Sequence, residues 1–188
     1  MIKYLTILTI IFTLLLSNCK KEIEYPAAPI YFAGDQEFGW SIATKNGQVF
    51  EASGAALIHT ERPDDFLGIE LRTFTDWGAN RETIYIAELN YSVGTYQIVE
   101  QDDDQENGVP IGFYTTTSDD GDVLEDVYKL DSRQDNWIEI TAIDTLIGEP
   151  TFFGKYNIHF KIDRDKTNPL NPDQVRFIDG TFEVRFEQ

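Results

Sequence analysis

Hydrophobic and polar residues alternate along most of the chain from residue 38 onward. Leu67, Ile69 and Leu71 are separated by Gly68 and Glu70, and in residues 182–187 Phe and Val alternate with Glu and Arg. A period of two predicts β-strands with one buried and one exposed face. No segment shows the apolar spacing of an amphipathic helix, so the sequence predicts an all-β protein.

Turn signals divide this region into about ten strands. Asn46-Gly47 predicts a hairpin, because both central residues of a type I′ turn need a positive φ. We expect one antiparallel β-sandwich over residues 36–188, with a lipocalin-like barrel as the alternative. The predicted strands are residues 38–45, 48–60, 67–71, 83–88, 93–99, 110–117, 123–130, 137–144, 151–162 and 174–187.

The first residues have the layout of a secretory signal. Lys3 precedes an apolar run over residues 5–16, which is shorter than the roughly 20 residues needed to span a bilayer. The run ends in Leu16-Ser17-Asn18-Cys19, which resembles the lipobox of bacterial lipoproteins. The resemblance implies that residues 1–18 are removed and that Cys19 carries lipid. The alternative is an ordinary signal followed by a free or structural cysteine.

Residues 19–35 are predicted to be the lipidated cysteine and a linker. Cys19 is the single cysteine of the chain, so the domain forms no internal disulfide. Two or more acyl chains anchor a protein stably to a membrane. Lys20 directly after the cysteine resembles lipoproteins sent to the outer membrane. We therefore expect a cell-envelope protein that faces the periplasm or the exterior.

The chain is strongly acidic, with a formal net charge of −18. Such a charge excludes nucleic acid as a partner, because phosphate backbones bind basic proteins. It also opposes direct binding to anionic lipid surfaces. Membrane association is therefore expected through the lipid anchor, with a glycan or an envelope protein as the further partner.

Three short segments resemble an uncharacterised family of Bacteroidota lipoproteins. They are residues 40–52, which contain the Asn46-Gly47 turn, residues 93–96 (Val-Gly-Thr-Tyr) and residues 179–186 (Asp-Gly-Thr-Phe-Glu-Val-Arg-Phe). The resemblance implies a β-sandwich behind a lipobox. It brings no known activity and no functional residues.

Catalytic motifs are missing from the sequence. There is no Gly-x-Ser-x-Gly elbow, no phosphate-binding glycine loop and no His-Glu-x-x-His pattern. His59 and His159 lie far apart, and we expect His159 to be an exposed strand residue. Asp35 and Glu37 are two residues apart and would share a face if this segment were a strand, which leaves a carboxylate-based hydrolase as the alternative to a non-catalytic protein.

Calcium is the cation best suited to the acidic loops, because it prefers several oxygen ligands. Residues 102–108 resemble the start of an EF-hand loop but lack its glycine at the sixth position. The alternative is a solvated loop that its charge keeps soluble, and Arg133, Arg164 and Lys166 could also neutralise the acidic groups. The candidate ligands are Asp102, Asp103, Asp104, Glu106, Asp131, Asp135, Asp163 and Asp165.

Strand reversal predicts where the loops lie. If every strand reverses direction, residues 46–47, 75–82, 100–108, 131–136 and 163–173 share one end of the domain. Residues 119–122 then fall at the other end. Trp77 and Trp137 also fall at the acidic end. Trp77 is expected to fold back over the core, and the alternative is that these rings stack on a sugar.

Together these patterns favour a non-catalytic binding or structural module. One alternative is a calcium-assisted glycan-binding accessory protein, which would show a shallow groove with exposed aromatic rings. Another is a lipocalin-like carrier of an apolar ligand, which would show a closed sheet around a cavity.

We predict that Cys19 is lipidated. Growth with a fatty-acid analogue should label the wild-type protein and leave Cys19→Ser unlabelled, because only the thiolate of a cysteine is alkylated in this pathway. Equal labelling of the two proteins would contradict the prediction.

Overall fold

The computed structural model describes residues 31–58, 66–101, 108–118, 120–146 and 148–186. These residues contain strands and no helix, so no described segment is a helix able to span a bilayer. The predicted all-β, antiparallel, sandwich-like fold of about ten strands is confirmed. The strands are β1 (Gly39–Lys45), β2 (Gln48–Ile58), β3 (Phe66–Phe74), β4 (Asn80–Asn90), β5 (Gly94–Gln97), β6 (Ile111–Thr117), β7 (Leu124–Leu130), β8 (Trp137–Asp144), β9 (Thr151–Ile162) and β10 (Gln174–Arg185).

Pairing closes most of the sheet on itself. The order β10-β1-β2-β3-β4-β6-β7-β9 ends with a β9–β10 pairing, so eight strands form a ring. β9 makes this closure possible because one of its edges pairs with β10, while its other edge is divided between β8 and β7. Residues 151–157 pair with β8, and residues 160–162 pair with β7. β8 and β5 therefore branch from the ring at β9.

The turns and bulges of the sheet contain residues with positive φ. Asn46 and Gly47 have φ values of 48° and 88° and join β1 to β2, as predicted. Glu88 and Asp179 also have positive φ, at 62° and 53°, where the β3–β4 and β9–β10 registers shift. Bulges of this kind bend and twist strands. They lie in two of the pairs that form the ring.

Aromatic rings fill the inside of the ring. Tyr114 packs at 5.0 Å from Tyr128, 5.4 Å from Phe177 and 5.8 Å from Phe160, measured between ring centroids. The hydroxyls are satisfied as well: Tyr128 donates to the oxygen of Pro172 at 2.9 Å. A buried tyrosine needs such a partner. The interior is thus a packed core.

One charged pair lies within this core, between Lys45 of β1 and Glu82 of β4. Their side chains are 13% and 4% exposed. The Glu82 carboxylate accepts hydrogen bonds from Lys45, from the Tyr114 hydroxyl at 2.6 Å and from Thr73 Oγ1 at 3.0 Å. Burial by itself raises the pKa of Glu82. The charge of Lys45 and these hydrogen bonds outweigh burial and hold the pKa below its ordinary value.

The predicted turn at residues 119–122 is described over residues 120–122, which lie next to residues 75–80, so the prediction that it occupies the opposite end is wrong. Arg81 donates to the oxygen of Thr117, and a Cβ on Gly121 would lie 2.9 Å from the Cβ of Ala79. The reason is that β6 pairs directly and antiparallel with β4. β5 leaves the ring to pair with β8, so it does not count as a reversal between them.

Glu82 makes folding stability depend on pH. Because its folded-state pKa is depressed, the stabilisation is present above the unfolded-state pKa of about 4.3 and is lost as pH falls through the folded-state value. Urea unfolding between about pH 6 and about pH 3 should show a shallower stability loss for Glu82→Gln than for wild type.

The exposed Glu51→Gln is the matched control and should keep the wild-type slope. Lys45→Met, which leaves the carboxylate buried without its cation, should cost about 3–5 kcal/mol at neutral pH. An identical pH slope for Glu82→Gln and wild type would contradict this account.

Candidate functional site

A groove of about 590 Å³ lies on the outer face of β2 and β3. Its volume falls in the range typical of small-molecule sites, about 300–1,000 Å³. We call this feature the β2–β3 groove. It is lined by Phe32, Gly34, Asp35, Glu37, Phe38, Ser53, Gly54, Ala55, Glu70, Arg72, Phe74, Thr75, Asp76 and Gly78.

Side-chain size explains why the groove forms. The outward positions of β2 in this region are Ser53 and Ala55, which are small. The outward positions of the neighbouring strand β3 are the longer Glu70, Arg72 and Phe74. Small side chains beside large ones leave a depression. Residues 32–38 form a further wall of this depression.

Residues 31–38 are fixed to the sheet at both ends. Phe32 and Phe74 exchange two backbone hydrogen bonds of 2.8 Å. Arg185 donates to the main-chain oxygen of Glu37, at 2.8 Å from Nε, and its own amide donates to Phe38. Residues 31–35, which the sequence assigns to the linker, thus pack against the folded domain. The segment can shape a groove before any ligand arrives.

Two further contacts hold the start of this segment. Arg81 donates to the Tyr31 hydroxyl at 2.9 Å and lies 4.9 Å from the centre of the Tyr31 ring. Gly34 has φ +67°, and a Cβ there would lie 2.5 Å from the ring of Phe74. Only glycine allows the backbone to approach the ring this closely.

Acidic side chains outnumber basic ones around the groove. Glu70 forms an ion pair with Arg72. Asp35, Glu37 and Asp76 are exposed, and the Glu37 amide donates to Asp35 Oδ1 at 3.0 Å. The Asp35 and Glu37 pair singled out in the sequence therefore lies at the groove.

Two of the predicted cation ligands, Asp163 and Asp131, are instead paired with basic side chains. Lys129 Nζ lies 3.0 Å from Glu100 Oε1 and 3.3 Å from Asp163 Oδ1, and Lys161 Nζ lies 3.3 Å from Glu100 Oε2. The hydrogen bond from Lys129 lowers the pKa of Glu100 more than burial raises it. The charges here balance within the protein.

Asp131 is held by Arg133 in the same way. Arg133 donates from Nε to Oδ1 at 2.8 Å and from Nη2 to Oδ2 at 2.9 Å, and these bonds lower the pKa of Asp131. Asp135 accepts from Gln97 at 3.4 Å, and Asp165 is exposed.

Across the described part of the chain, no three His, Cys, Asp or Glu side chains are placed to hold one metal ion. The calcium site therefore stays a prediction. The other candidate ligands, Asp102, Asp103, Asp104 and Glu106, lie outside the described residues, as does the lipidation candidate Cys19.

The predicted aromatic and histidine residues have different surroundings. Trp77 is 67% exposed, so it does not cover the core; its neighbours Asp76 and Gly78 line the groove. Trp137 is partly buried at the start of β8. His159 is partly buried rather than exposed: its Nδ1 lies 3.3 Å from Asn136 Oδ1, and burial lowers its pKa.

Sequence reasoning missed most of the groove. Its signal was the run of small residues 53–56 in a strand otherwise rich in larger side chains. A second signal was Phe32 and Phe38 flanking two carboxylates. Neither pattern predicts that the small side chains of β2 face outward beneath residues 32–38.

No protein-family model matches the sequence, and no characterised protein or solved structure is detectably similar to it. The resemblance to Bacteroidota lipoproteins therefore remains a prediction from short motifs.

Proposed function

We propose that this chain is a lipid-anchored cell-envelope protein that acts as a non-catalytic binding module, with the β2–β3 groove as its ligand site. The lipobox-like residues 16–19 support the anchor. The fixed, open groove supports the binding role.

The observation that carries this proposal is the contrast between the two faces of the ring. The inner face is filled by close-packed aromatic rings, such as Phe50 and Phe177 with centroids 4.8 Å apart. A carrier of the lipocalin type would need space there for its ligand. The outer face of β2 and β3 has that space instead.

The path of the chain supports an anchored module. Tyr31 is held by Arg81, beside the end of β6. Eleven residues, 20–30, separate Cys19 from Tyr31 and would reach at most about 40 Å even if fully extended. A ligand bound in the groove would therefore be kept close to the membrane.

The carboxylates of the groove suit binding better than hydrolysis. Asp35 and Glu37 are exposed, and Asp35 already accepts the amide of Glu37. Carboxylic acids that protonate a leaving group are usually shielded from water. The groove thus offers negative charge and hydrogen-bond acceptors rather than an acid and base pair.

We predict that small molecules bind at the groove. In ¹H–¹⁵N NMR, a library of neutral oligosaccharides, organic amines and carboxylic acids should contain compounds that shift amide signals in residues 32–38, 53–55 and 70–78. Ser53→Trp, which fills the groove between the small side chains, should abolish these shifts.

Glu51→Trp is the matched control, because residue 51 is exposed on the same face of β2 and does not line the groove. It should leave the shifts in place. Signals that move only around buried residues such as Tyr114 and Phe177 would contradict the proposal, as would a library without any groove binder.

A further inference from the structure

We propose that the β2–β3 groove takes an elongated organic cation that carries more than one ammonium group. This inference rests on the proposed function, because it names the ligand class for the same groove. It follows from the charge, the aromatic surfaces and the length of the groove.

The first argument is charge. The groove is lined by the carboxylates of Asp35, Glu37, Glu70 and Asp76 and by one guanidinium, that of Arg72. Since Arg72 is paired with Glu70, the excess negative charge resides on the three exposed carboxylates. Charges of one sign in a cleft attract ligands of the opposite sign.

The second argument is the nature of the other walls. Phe32, Phe38 and Phe74 line the groove, and Phe32 is 53% exposed. Aromatic faces attract ammonium groups and also cover the methylene chains between them. Carboxylates beside phenyl rings therefore match both parts of an alkylammonium ligand.

The third argument is length. A second hollow of about 370 Å³ shares Glu37 and Phe38 with the groove and continues toward Arg185. Asp76 lies in the β3–β4 connection, whereas Asp35 and Glu37 lie in the segment that leads to β1. The negative charges of the groove thus come from two separate segments of its wall, so a linear polyamine with several ammonium groups can contact both.

Other ligand classes use fewer of these features. An anion would be repelled by the three exposed carboxylates. A neutral sugar could stack on the rings and donate to the carboxylates, yet it would gain nothing from the excess charge. A purely apolar ligand would leave the carboxylates desolvated.

Isothermal titration of the lipidated chain in neutral detergent with spermidine tests the inference. Binding should saturate, and higher salt should weaken it. Asp35→Asn and Glu37→Gln should each raise the Kd by roughly two- to fivefold, and the triple change with Asp76→Asn by roughly tenfold or more. Asp179→Asn, which removes an exposed charge at a distant bulge, is the matched control and should leave the Kd unchanged.

Four results would overturn the inference. The triple variant could bind spermidine as wild type does. Asp179→Asn could weaken binding as much as the groove changes do, or magnesium could displace spermidine at equal charge, which would indicate general charge attraction. Maltotriose could bind in the groove while spermidine does not. That last result would change the ligand class and leave the proposed binding function standing, whereas the absence of any groove binder would remove both.

Discussion

Closure of the sheet is the constraint on which the rest of the structure depends. Once β9 pairs with β10, one face of eight strands is removed from water, and every inward side chain must pack or find a polar partner. The buried tyrosines meet this demand through Glu82, Pro172 and Ser41. Lys45 forms an ion pair with Glu82, whose buried charge would otherwise destabilise the core.

Because the inside is packed, the proposed ligand site lies on the outer face. On that face β2 has small residues, and residues 31–38 are fixed across it. The proposed site thus lies where packing makes the weakest demand on side-chain volume. The excess carboxylates of the groove are the basis for the ligand class that we propose.

Much of the fold could be predicted from the sequence, because its strands follow the period of two closely. The predicted bounds of the strands at residues 137–144 and 151–162 match those of β8 and β9, and the Asn46-Gly47 turn is where it was expected. What failed was strand order. Alternation reveals that β5 is a strand, yet it does not reveal that β5 leaves the ring.

The sites were less predictable for the same reason, since they combine residues distant in sequence. In the sequence, Lys45 and Glu82 look like ordinary charged residues near the ends of strands. Only the closed ring brings them together. Asp35 and Glu37 were recognised as a pair, but the groove also needs Ser53, Arg72 and Phe74. Lys129 and Arg133 neutralise Asp163 and Asp131, which the sequence had suggested as cation ligands.

The claim that the inner face is closed and the outer groove is open can be tested by thiol reactivity. In a Cys19→Ala background, Ser53→Cys places a thiol in the groove, whereas Ser41→Cys places one on the inner face, where Ser41 is 1% exposed. Under native conditions a small maleimide should label Ser53→Cys rapidly and Ser41→Cys only at the rate of global unfolding. Comparable native-state labelling of the two thiols would show that the interior is accessible and would contradict the account.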